Sequence, residues 1–345
     1  MRLIIRADAS TQIGTGHIMR CLALTQAWQD AREQATFATC MEAPALYARL
    51  QSEGMEVVHL SAEPGSTDDA MQTAALARKM GASWIVVDGY HFGSDYQRII
   101  KNSGVHLLFV DDMGHAEYYC ADVVLNQNIY AHEGFYLHRE PHVQLLLGTR
   151  YALLRREFLP WCRWKRQVPE RARKVLITLG GADPDNVTFK AIQALQRLNG
   201  VFMEAQVLVG SANPHLDALR EALAPSALGF RLLTAASNMP ELMAWADVAV
   251  SAGGSTCWEL AFMGLPNLML VLALNQEGIA TGLEAQGVAL NMGWHEKVSA
   301  SDMADVLSEL MHNSARRQEM SERGRQLVDS CGASRVTAVL RGTSV

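Results

Sequence analysis

Residues 2–28 read RLIIRADASTQIGTGHIMRCLALTQAW. A short apolar run, Leu3 to Ala7, ends at Arg6-Ala7-Asp8; Gly14 and Gly16 then flank Thr15, and a helical period begins at about Ile18. Strand, glycine loop and helix in that order open a doubly wound α/β domain, and such a loop lets backbone N–H groups approach a phosphate at the positive helix end. A dinucleotide fingerprint needs a third glycine three residues after Gly16, where this chain has Met19, and the absence of Gly-Lys-Ser/Thr excludes a P-loop. A tight strand–helix turn selects glycines too, so the loop alone does not define a site.

His17 adds chemistry to the turn. It stands at the start of the helix, at the carboxyl end of the first strand, where open α/β sheets bind ligands. A positive helix end favours the neutral imidazole, which can take a proton. A histidine bonded only within the turn is the competing reading.

Outward from this unit, apolar runs recur at 36–40, 56–60, 84–88, 106–111, 123–126 and 143–147, with helical patterns at 18–30, 45–53, 68–80 and 94–102. Most runs are apolar on both faces, as strands covered by helices on two sides must be. Ser66 and Thr67 precede Asp68 and Asp69, a capping pattern with acidic residues at the positive helix end. The alternation breaks at EFLPWCRWKRQVPERAR, residues 157–173, then restarts with runs at 174–179, 202–209, 230–233, 248–251, 268–272 and 288–292. Helical patterns intervene at 186–198, 214–224, 239–245, 255–263 and 277–286, and two more follow at 302–311 and 315–328. The expected organisation is a domain over 1–156, a linker over 157–173 read as a solvated connection in which Arg163, Lys165 and Arg166 have no role, and a second domain over 174–345. Two such alternations imply two doubly wound α/β domains facing a central cleft.

Composition narrows the function classes. The chain has 345 residues, 49% hydrophobic and 19% charged, which suits two packed cores and excludes a mainly disordered chain. Its formal net charge of −6 argues against a nucleic-acid partner, and an anionic ligand must be held by local backbone donors. The six cysteines form no CxxC pair and no zinc-spaced cluster, so they read as free thiols in a reducing, cytoplasmic compartment, with no metal site. MRLIIRAD is interrupted too soon for a signal peptide, and the uncharged stretch 260–276 contains Pro266 and Asn267, so no membrane span is expected.

The second half carries two further glycine turns. KVLITLGGADPDN, from Lys174, ends a strand at Gly180 and Gly181, with Asp183 or Asp185 able to cap the next helix. SAGGSTCWEL, from Ser251, ends another strand in glycines and begins a helix at Ser255 and Thr256, whose amides and hydroxyls suit a diphosphate. Glu259, one turn on, can accept from ribose hydroxyls. A simple helix cap is the alternative for Ser255, whereas Glu259 in an apolar helix is a charge near the core, which favours a ligand role.

The ordered set RADASTQIGTGHIMRCLALT, VVDGY at 86–90, VDD at 110–112, LNQNIYA at 125–131, GTRYALLRREF at 148–158, LGGADPDN at 179–186, SAGGSTCWELAFMGLP at 251–266 and LNQEGIA at 274–280 resembles a known family. It is similar to the UDP-2,4-diacetamido-2,4,6-trideoxy-β-L-altropyranose hydrolases of pseudaminic acid biosynthesis, and through them to nucleotide-sugar transferases of the GT-B fold, the peptidoglycan N-acetylglucosaminyltransferase type above all. The resemblance implies that His17 activates water, that Gly14, Thr15 and Gly16 lie beside the diphosphate, and that Tyr90 faces the cleft. It implies UDP in the C-terminal domain, near Gly180, Gly181, Ser255 and Thr256, with Glu259 at the ribose and Asn275 and Gln276 near the sugar. The expected reaction is cofactor-free and metal-independent: water attacks C1 with inversion and UDP departs. UDP is a good leaving group, so one base can replace the carboxyl pair of ordinary glycosidases. A GT-B UDP-sugar glycosyltransferase and a non-catalytic nucleotide-sugar-binding module are the competing readings.

Overall fold

The structure is a computed structural model that describes residues 1–343 except 11–13, 42–43, 182, 199–202, 211–212, 224–228, 235 and 237. The expected start of one strand at Phe202 and end of one helix at Ala224 lie outside the described residues. The chain forms two compact units, Met1–Arg156 with Cys331–Val345, and Glu157–Ser330.

The first unit alternates β1 (Arg2–Ala7), α1 (Gly16–Asp30), β2 (Gln34–Thr39), α2 (Pro44–Ser52), β3 (Glu56–His59), α3 (Thr67–Met80), β4 (Trp84–Asp88), α4 (Ser94–Asn102), β5 (His106–Val110), β6 (Val123–Asn126) and β7 (Gln144–Leu147). The seven strands are parallel in the order β3-β2-β1-β4-β5-β6-β7. Successive residues of β1 face opposite sides. Leu3, Ile5 and Ala7 join a core with α1, while Ile4 joins a second core under α3 and α4. The chain order reverses between β1 and β4, where open sheets bind ligands beyond the strand ends; the register there pairs Ala7 with Asp88.

The second unit runs β8 (Lys174–Thr178), α5 (Val187–Gln196), β9 (Glu204–Leu208), α6 (Leu216–Leu223), β10 (Gly229–Leu233), α7 (Met239–Trp245), β11 (Val248–Ala252), α8 (Thr256–Phe262), β12 (Asn267–Val271), α9 (Leu274–Ala285), β13 (Ala289–Trp294), α10 (Ala300–His312) and α11 (Ser314–Leu327). Its six strands are ordered β10-β9-β8-β11-β12-β13, so the switch falls between β8 and β11. The apolar stretch after Leu260 resolves as the end of α8, a turn and the buried β12. Among the described residues no helix is long and apolar enough to cross a membrane.

Two expectations need correction. A last helix, α12 (Gly332–Arg341), returns to the first unit instead of extending the second. Its Ala333, Val336 and Leu340 join the α1 core, and Trp84 Nε1 donates to the Leu340 carbonyl at 2.8 Å. The basic segment 157–173 is also not a solvated connection, because arginines tie it to the second unit. Arg166 Nη2 donates to the Met243 carbonyl at 2.6 Å, with further bonds to the carbonyls of Met263 and Ala246, and burial lowers its pKa to about 10. Arg317 reaches back from α11 to the Pro169 carbonyl at 2.5 Å.

Candidate active site

In the first unit the loop after β1 turns at Gly14, whose φ of +73° favours glycine, and delivers the chain into α1. Thr15 is the exposed N-cap, Gly16 is the first helical residue and His17 the second. His17 is 7% exposed, and its Nδ1 lies 2.7 Å from Oδ1 of Asp88, the last residue of β4. Burial opposes ionisation of Asp88, but the Arg20 guanidinium and then His17 outweigh it and hold the carboxyl well below the usual carboxylate range. An ionised carboxylate can only accept, so the 2.7 Å contact requires a proton on Nδ1, and in the neutral ring the lone pair is then on Nε2. The arrangement can accept a proton at Nε2.

The surrounding network is dense. Arg20 Nε donates to Asp88 Oδ2 at 2.7 Å, its Nη2 to Asp88 Oδ1 at 2.6 Å and its Nη1 to Asp112 Oδ1 at 2.7 Å. Asn128 Nδ2 also donates to Asp112 Oδ1, at 2.8 Å. The Tyr90 ring is 37% exposed and meets His17 edge-on, centroids 4.9 Å apart, while its hydroxyl donates to Asp112 Oδ2 at 2.7 Å. Burial, followed by the Asp112 carboxylate, pushes the Tyr90 hydroxyl far above its ordinary pKa, so it remains a donor. Asp111 faces a different set: Tyr119 donates to its Oδ2 at 2.5 Å, and His115 Nδ1 lies 3.0 Å from its Oδ1. These two adjacent carboxylates therefore serve separate networks.

In the second unit, Gly180 and Gly181 follow β8 directly, Gly180 with φ +96°. Asp183 caps α5, accepting from the amides of Val187 at 2.9 Å and Thr188 at 2.8 Å. Gly210 packs so closely on this turn that a Cβ there would stand 2.1 Å from the Gly181 carbonyl oxygen. Across the switch point, Ser255 is the N-cap of α8 and Thr256 its first residue, both half-buried, and no side-chain capping hydrogen bond from Ser255 is formed among the described residues. Glu259 is buried in the first turn of α8. Asn275 and Gln276 lie in the first turn of α9, and Gln276 Oε1 accepts from the amides of Gly253 at 3.2 Å and Leu272 at 3.0 Å. Gln276 thus ties the glycine turn after β11 to the end of β12. Among the described residues, no group of three or more His, Cys, Asp or Glu side chains is arranged to hold a metal ion.

The expected residues fall into two groups. Gly14, Thr15, Gly16, His17 and Tyr90 gather at the β1/β4 switch, and Gly180, Gly181, Ser255, Thr256, Glu259, Asn275 and Gln276 lie on turns and first helical turns after β8, β11 and β12. Sequence reasoning missed Arg20, Asp88, Asp112, Asn128 and Gly210. The available signals were a carboxylate ending the VVD strand, and His17 and Arg20 three apart on one helix face.

Two parallel-sheet α/β units of this kind define the GT-B fold, and residues 175–331 match the Glycosyltransferase family 28 C-terminal domain. The chain is 29% identical over 236 residues to the spore coat polysaccharide biosynthesis protein SpsG of Bacillus subtilis, covering 68% of each chain. It is 25% identical over 291 residues to the UDP-2,4-diacetamido-2,4,6-trideoxy-β-L-altropyranose hydrolase of Campylobacter jejuni, covering 83% of this chain and 97% of that one. Among solved structures, MurG of Acinetobacter baumannii superposes with a TM-score of 0.71 at 16% identity over 99% of both chains. The chain is thus GT-B in fold, with a second unit similar to the glycosyltransferase family 28 C-terminal domain and with a relative named as a UDP-sugar hydrolase.

Proposed function

We propose that the protein hydrolyses a UDP-sugar of the 2,4-diacetamido-2,4,6-trideoxy-β-L-altropyranose kind to UDP and free sugar. The observation that carries this reading is the buried His17–Asp88 pair at the end of β1 and β4. Asp88 orients the ring, and Nε2 takes a proton from water as the water oxygen bonds to C1. The bond from C1 to the UDP oxygen breaks on the opposite face, and its electron pair leaves with UDP. Backbone amides at the glycine turns and helix starts of the second unit stabilise that charge, with Glu259 on the ribose. The relative named as this hydrolase supports the substrate class, and six free thiols support a cytoplasmic setting.

The family 28 match also favours a second reading, transfer of the sugar to an acceptor hydroxyl. Proton NMR of the diacetamido UDP-sugar with protein and no acceptor separates the readings. Stoichiometric free sugar supports hydrolysis; turnover only on adding an acceptor supports transfer; UDP binding without product under either condition leaves a binding module.

A further inference from the structure

Arg20 is a permanent cation set against the acid–base pair. Three residues after His17, it shares that face of α1. Its fork takes both oxygens of Asp88, at 2.7 and 2.6 Å, and the Nη2 that reaches Oδ1 also stands 3.2 Å from His17 Nδ1. Its remaining arm reaches Asp112 Oδ1 at 2.7 Å, an oxygen that Asn128 also holds, while Tyr90 holds Oδ2.

The signs of these charges oppose one another. A buried carboxylate touching an imidazole favours the imidazolium, which cannot act as a base. Arg20 counters this pull by engaging both Asp88 oxygens and by placing positive charge beside the ring. Asp112 works the other way, neutralising part of Arg20 while fixing its plane. Among the described residues, the charged and titratable groups around the ring and its carboxylate are Arg20 and Cys21 from its own helix, Asp88 from β4, Tyr90 from the loop after β4 and Asp112 from the loop after β5. The two carboxylates and one guanidinium sum to −1, a charge balanced when Nε2 takes a proton from water.

We propose that Arg20 is a positioning residue that keeps the His17–Asp88 pair ready to receive a proton, and that Asp112 sets how strongly it does so. This rests on the hydrolysis reading for its consequence but not for its measurement.

The test uses the full-length protein and three variants. Arg20→Met keeps the stem and removes the charge, Arg20→Lys keeps the charge without the fork, and Asp112→Asn keeps the shape while removing the countercharge. The imidazole titration of His17 is followed by NMR, its signal assigned by its loss in His17→Gln, alongside kcat/KM against pH. Arg20→Met should move the titration and the acid limb of the profile to higher pH, and Asp112→Asn should move both to lower pH. Arg20→Lys should leave the titration near that of the parent and lower kcat. Titrations that do not move, or that move in the same direction in Arg20→Met and Asp112→Asn, overturn the proposal. Should Arg20→Met fail to fold, Asp112→Asn and Arg20→Lys still decide it: no downward movement in the former, or a full upward shift in the latter, is contrary. Opposite shifts in a protein that releases no sugar would instead sink hydrolysis and leave the charge device standing.

Discussion

Nδ1 of His17 and Oδ1 of Asp88 lie 2.7 Å apart across 71 residues of chain. The contact follows from topology, because β4 pairs beside β1 and the register sets Asp88 level with Ala7, the last residue of β1. The loop containing Gly14 then brings the start of α1 back over the strand ends. Neither residue alone makes a base with a defined tautomer.

His17→Ala should leave UDP affinity within about twofold and lower turnover by at least about 10²-fold, the lower end of general-base effects. Asp88→Asn should fall in the same range, since an amide can donate to Nδ1 and favour the wrong tautomer. The double variant should be little worse than the poorer single one, as expected for residues acting as a unit. Single-turnover rates with calorimetric UDP binding check this, and fully additive losses would separate the two roles.

Glu259→Ala should weaken UDP binding by roughly 10–100-fold, the loss of a hydrogen bond to a charged group. A ribose contact is present in ground and transition states alike, so KM should rise while kcat at saturation stays nearly constant. Calorimetry with UDP alone reads the first effect, and unchanged affinity would leave Glu259 a structural residue.

Gly210→Ala drives a methyl group into the Gly181 carbonyl. The expected cost is about 1–3 kcal/mol of stability, as for overpacking elsewhere, together with weaker UDP binding as the Gly180–Gly181 turn shifts. Denaturant melts with and without UDP measure both, and parental affinity would detach this turn from the nucleotide.

His115 gives a pH dependence of stability whose sign is fixed. Burial opposes its charge, but Asp111 and the Phe92 carbonyl outweigh that and raise its pKa above 6.5. The stabilisation is therefore complete below about pH 6.5 and is lost as pH rises through the raised value. Asp111, held below its ordinary 3.8, contributes above that value and loses its contribution as pH falls through the lowered one. Unfolding free energy should decline from pH 6.5 upward in the parent and much less in His115→Gln; equal slopes would count against the pair.

Local pattern made the strands legible: both-face apolar runs such as WIVVD are buried throughout, and His17 stood out beside its glycine loop. Pairing order was not legible, and with it went Asp88, which reads as the polar end of a buried run until β4 is known to lie next to β1. Arg20 was hidden for a similar reason, since one helix face carries both core and site. The return of α12 was missed because its apolar face, Val336 and Leu340, meets a core more than 170 residues earlier in the chain. Asp69 read as a helix-end charge, whereas it is fully buried and takes the Arg6 guanidinium through two bonds of 2.8 Å.

The stereochemical outcome tests the mechanism most directly. A single base acting through water on the face opposite UDP gives one displacement and an inverted anomeric centre. A retaining route needs a carboxylate nucleophile paired with an acid about 5–5.5 Å away. Asp88 and Asp112 do not suit the nucleophile's part, since Arg20 engages each of them and Asp88 also contacts His17. Activity should persist in EDTA, because amides at helix starts can neutralise the diphosphate in place of Mg²⁺. Proton NMR in the first minutes, before mutarotation, identifies the anomer released. A retained anomer, or activity abolished by EDTA and restored by Mg²⁺, would replace this mechanism with another.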